Sequence, residues 1–112
     1  MINDDRRIFP RHTLRAFAEL GSSNQQWAAH VLDISHQGAR IALLDDYHLP
    51  NGSTVKLRIE IPESHLQNGI QPYLLVEGTL VHQQEHILGI QYQPGSEADA
   101  ELLNNLLANL NQ

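Results

Sequence analysis

Apolar and polar residues alternate without a break through Thr54-Val55-Lys56-Leu57-Arg58-Ile59-Glu60-Ile61, the period of two expected of a strand with one buried face. The same period runs through Leu14-Arg15-Ala16-Phe17-Ala18-Glu19-Leu20, although its alanines and leucines would also suit a helix. Further strands are expected over residues 26–32, from Gly38 through Ile41 to Leu44, over 73–81 and over 86–93. Turn-forming residues punctuate them: Gly21-Ser22-Ser23-Asn24, then a polar loop over 45–52 that ends in the hairpin-favouring pair Asn51-Gly52, then a loop over 62–71. Gln83-Gln84-Glu85 is expected to close the last hairpin, and Gly78, inside a strand, to mark a bulge or bend.

Beyond Pro94-Gly95 the period changes. Ser96 can cap a helix with Asp99 three residues on, and Glu97 and Glu101 suit the positive end of its dipole. Leu102, Leu103, Leu106, Leu107 and Leu110 then share one helical face. The fold class is therefore mainly β: a six-stranded antiparallel sheet curled into a barrel to bury its apolar face, a C-terminal amphipathic α-helix, and a flexible N-terminal arm. The arm is placed at residues 1–12 and the rest of the single domain at 13–112, with Phe9 available to anchor the arm.

With 112 residues the chain has the length of one domain and is expected to be the whole protein. It has no cysteine, which removes disulfides, thiolate metal sites and cysteine nucleophiles. No basic-then-apolar leader opens the sequence and no apolar run approaches membrane-spanning length, so a soluble cytoplasmic protein without membrane insertion is expected. Charge is distributed unevenly along the chain. The formal net charge is −6, yet residues 1–15 carry Arg6, Arg7, Arg11 and Arg15 against only Asp4 and Asp5. An acidic protein with one short arginine arm suits a compact anion and not a nucleic-acid polymer, for which six aromatics and a single lysine are also poor equipment.

The chemistry gathers in Asp33-Ile34-Ser35-His36-Gln37-Gly38, at the junction of two strands. In extended backbone Asp33 and Ser35 would point the same way as a small polar claw, with Gly38 permitting a sharp turn or close approach. Asp-x-Ser alone is also a common self-bonded turn. What adds weight is the preceding pair Arg7 and Arg11, spaced Arg-x-x-x-Arg. Together the two motifs, in this order and separated by one expected strand, resemble the signature of the PilZ domain family.

That resemblance implies a bacterial protein with a small antiparallel barrel that binds the second messenger cyclic di-GMP. Arg7 and Arg11 would then grip phosphate and stack on or hydrogen-bond to guanine, Asp33 would accept from guanine N1–H and N2–H, Ser35 would donate its hydroxyl, and Gly38 would keep the backbone clear. Arg6, immediately before the motif, goes in relatives with two intercalated ligand molecules, where an apolar residue goes with one; Ile8 stands where some relatives carry another arginine. Three arginines within six residues also exceed the need of one dinucleotide with two phosphates, so two ligands per chain are expected. His36 and Gln37 fill variable positions at the rim.

The seven histidines lack zinc-ligand spacing, and Ser35 has neither a nucleophile-elbow context nor a placed base. No resident cofactor, no metal and no catalysis are expected. The expectation is thus a cyclic di-GMP receptor that relays the signal to an effector protein as the arm closes. The alternative from another class is an adaptor of the same fold that binds no nucleotide.

Overall fold

Leu14 to Leu20 is a strand and not a helix, because Leu14, Ala16, Ala18 and Leu20 are buried while Arg15 and Phe17 stay exposed. It belongs to β1 (His12–Ser22). The other strands are β2 (Gln25–Ile34), β3 (Gly38–Leu43), β4 (Thr54–Glu60), β5 (Tyr73–Gln84) and β6 (Ile87–Pro94), followed by α1 (Glu97–Leu110). The computed structural model describes residues 11–62 and 72–110. The expected arm conformation, with Arg6, Arg7 and Phe9, and the loop from 63 to 71 lie outside the described residues.

The strands close in the order β1-β2-β3-β6-β5-β4, every pair antiparallel. Closure leaves no sheet edge to satisfy and puts Val31, Ile41, Leu57, Ile59, Leu74, Leu80 and Leu88 in one interior, each at most 2% exposed. The helix packs on β1, β5 and β6 with Leu102, Leu103, Leu106 and Leu107 buried. At 14 residues it would be marginal alone. Each buried leucine adds roughly 2 kcal/mol, so the stripe decides. Ser96 Oγ accepts from Asp99 N–H at 3.2 Å and donates to Asp99 Oδ2 at 2.7 Å, the expected cap. Asp99, only 4% exposed, also accepts from Leu75 N–H at 3.0 Å and so fastens the helix start to β5.

Three local expectations are corrected. Asn51-Gly52 forms a turn, with Gly52 at φ 92°, but β3 and β4 do not pair, so the loop carries the chain to another part of the barrel instead of closing a hairpin. The β5–β6 hairpin turns at Glu85-His86, since pairing persists to Gln84↔Ile87. Gly78 pairs regularly with Val55 and Tyr92, and the bulge in β5 falls between Leu80 and His82. The glycine is needed for another reason: a Cβ there would overlap the Gln91 carbonyl oxygen and lie 2.7 Å from Tyr92 Cα.

Candidate functional site

Along β2, Ala29 and Val31 face the core, and strict alternation would turn Asp33 inward as well. A bulge prevents this. Val31 pairs with Ile41 and Asp33 with Arg40, leaving Leu32 as an extra residue on β2. The phase reverses, Ile34 takes the interior position at 0% exposure, and Asp33 emerges on the outer face opposite Arg40 and Thr13. Re-aiming one carboxylate is what builds the site.

Arg11 Nη1 lies 2.6 Å from Asp33 Oδ1, and Arg40 Nε lies 2.9 Å from Asp33 Oδ2. One carboxylate thus holds two guanidinium groups, leaving a net positive locus. The Asp33 side chain is 14% exposed against 34% for Arg11 and 51% for Arg40, so the carboxylate forms the floor and the cations stand toward solvent. Arg40 lies outside the two sequence motifs. The available signal was its outward position in the alternation Ala39-Arg40-Ile41, across a tight turn from Asp33.

Asp33 and Ser35 do not form a claw. The chain leaves extended geometry at Ser35, which is 5% exposed, and its Oγ accepts from Gln37 N–H and Gly38 N–H, both at 3.2 Å. Its backbone N–H donates to Gly38 O at 2.8 Å. Ser35 therefore ties the turn that carries Asp33 out of β2 and back into β3. Gly38 is required by packing, because a Cβ there would lie 2.5 Å from the Ile90 carbonyl oxygen on β6. Tyr92 pins the turn from below: its hydroxyl donates to Ser35 O at 2.7 Å and its N–H to Gln37 O at 2.9 Å. His36 reaches the helix, with Nε2 2.9 Å from Asn104 Oδ1. A concavity of about 900 Å³ along β4 and the β1–β2 turn includes none of Arg11, Asp33 or Arg40. Arg11, Asp33 and Arg40 stand on an open outer face.

Burial holds the Tyr92 hydroxyl well above the ordinary phenol value of 10.0, with Arg11 pulling it down and Asp33 pushing it up. A raised acid means that the folded state favours the neutral phenol: this stabilisation is complete below pH 10 and is lost as pH rises beyond it. Tyr92→Phe is expected to cost about 1–2 kcal/mol near neutrality, because the Ser35 carbonyl loses its donor. Its denaturant midpoint should then fall less steeply above pH 10 than that of the native protein. Parallel profiles would show that the phenol is not held neutral by folding.

A family model described as "PilZ domain" matches residues 5–109, and the chain belongs to that family. Among solved structures it is similar to the PilZ domain of CeSA from a cellulose-synthesizing bacterium, with TM-score 0.69 and 11% identity over 92% of this chain and 99% of that one. It is also similar to the PilZ domain with c-di-GMP of YcgR from Escherichia coli, with TM-score 0.73 and 12% identity over 96% and 92%. The Bacillus subtilis inhibitor of motility, MotI/DgrA, gives TM-score 0.71 and 16% identity, this chain covering 53% of its length. At these identities the likeness establishes the barrel. No curated protein sequence matches the chain.

Proposed function

We propose that this chain is a receptor for cyclic di-GMP that binds without catalysis and relays the signal to an effector protein. The observation that carries the reading is the Arg11–Asp33–Arg40 bridge, raised onto the outer face by the bulge at Leu32. It presents guanidinium donors and a carboxylate acceptor side by side, a combination suited to a ligand that has both phosphates and guanines. Membership of the PilZ family and likeness to a PilZ domain with bound c-di-GMP support the choice of ligand.

Arg6 and Arg7 supply the remaining cations. The arm closes over two ligand molecules, and Arg6 stacks on the outer guanine of the second. Ser35 and Gly38 serve by holding the turn. The relay is supported by the His36–Asn104 contact, which ties the motif turn to α1. No helix among the described residues is long and apolar enough to cross a membrane.

Calorimetric titration tests the reading. The native chain is expected to saturate with two cyclic di-GMP per chain, and Arg6→Leu to move the endpoint toward one while binding persists through Arg7 and Arg11. No heat of binding at high micromolar ligand in low salt would overturn the receptor, and a native endpoint of one would overturn the ligand pair.

A further inference from the structure

Arg40 lies outside both motifs, yet the barrel holds it more firmly than Arg11. It sits within β3, pairing with Asp33 on one side and Gly89 on the other. A second bulge, between Leu80 and His82 on β5, brings His82 opposite Gly89, whose missing side chain is replaced by the His82 ring lying over it. The two bulges thus align Asp33, Arg40, Gly89 and His82 in one outward row. Within it the Arg40 guanidinium is flanked by a carboxylate and by a glycine covered with a flat ring.

Its Nε is committed to Asp33 Oδ2, which fixes the plane of the group and, among the described residues, leaves the terminal Nη1/Nη2 fork without a hydrogen-bond partner on a side chain half exposed to solvent. A planar fork of two N–H donors matches either two phosphate oxygens or the O6/N7 edge of guanine. Asp33 decides between them. A phosphate at Arg40 would bring its charge against the carboxylate 2.9 Å from the guanidinium, whereas guanine also carries N1–H and N2–H donors, which a carboxylate accepts. We propose that Arg40 is a specificity-determining contact of the site, its Nη fork reading O6 and N7 of a guanine beside Asp33. This rests on the receptor reading above and names the residue that selects the base.

The test is a double-substitution cycle read by calorimetry. The native protein and Arg40→Ala are each titrated with cyclic di-GMP and with its 7-deazaguanine analogue, in which C–H replaces N7. The native protein should bind the analogue about tenfold more weakly, and Arg40→Ala should bind cyclic di-GMP about tenfold more weakly than the native protein. The decisive expectation is that the penalty for the analogue is clearly smaller in Arg40→Ala than in the native protein. An analogue penalty as large in Arg40→Ala as in the native protein overturns the contact, since a purely structural Arg40 would lower affinity without coupling to N7. Unchanged affinity for cyclic di-GMP in the variant overturns it too. Failure of the native protein to bind cyclic di-GMP is a different outcome, which removes the receptor reading and with it this contact.

Discussion

Replacing Arg11 by Ala is expected to weaken cyclic di-GMP binding by about 2 kcal/mol, roughly thirtyfold, while leaving thermal stability nearly unchanged. The asymmetry follows from the geometry. Among the described residues Arg11 makes one ion pair, and with a third of its side chain exposed such a pair contributes no more than about 1 kcal/mol. Asp33 meanwhile keeps its second partner, so no carboxylate is left unpaired. In the proposed complex the same guanidinium would meet an anionic ligand through charge-assisted bonds that nothing replaces. Asp33→Ala differs, because it releases two guanidinium groups that then repel each other, and both binding and stability should fall. Equal ligand affinity in Arg11→Ala, measured by calorimetry beside a thermal melt, would make Arg11 a bystander.

The second large effect is on stability. Gly78→Ala should destabilise the barrel by about 3 kcal/mol or more, because the added Cβ overlaps backbone of β6 and backbone cannot rotate away as a side chain can. Typical domains have only about 5–15 kcal/mol in hand, and the unfolding midpoint should drop by more than about 10 °C. Gly21→Ala is the control: the nearest atom to its added Cβ is 3.8 Å away, and its midpoint should barely move. Similar melting of the two variants would show that β5 and β6 can separate at Gly78 without penalty.

Gly78 also shows where the sequence stops being legible. A strand glycine can mark a bulge or a close approach, and the difference depends on which residue of another strand lies opposite, which no local pattern records. The inward alternation of Val55, Leu57, Ile59 and Ile61 and the leucine stripe of α1 are local, and both were readable. So were the Ser96–Asp99 cap and the number of strands.

Register was not readable. The extra residue at Leu32 reverses the side-chain phase just before Asp33, so simple alternation along the sequence pairs Asp33 with the wrong face and misses Arg40 altogether. Ser35 misled for a related reason: its hydroxyl can serve a ligand or its own turn, and only the fold shows Gln37 and Gly38 donating to it. Tyr92, 57 residues away in sequence, could not be linked to that turn by any spacing rule.

In the proposed complex the ligand lies on the outer face around Asp33, away from the concavity beside β4, and amide chemical-shift mapping during a cyclic di-GMP titration tests that placement residue by residue. Shifts should concentrate at Arg11, Thr13, Asp33, Gln37 and Arg40, and extend to Asn104 through His36. Ser22, Lys56 and Glu77, which line the concavity, should stay still. Shifts centred on those three residues with Arg11, Asp33 and Arg40 unmoved, or no shifts at high micromolar ligand, would contradict it.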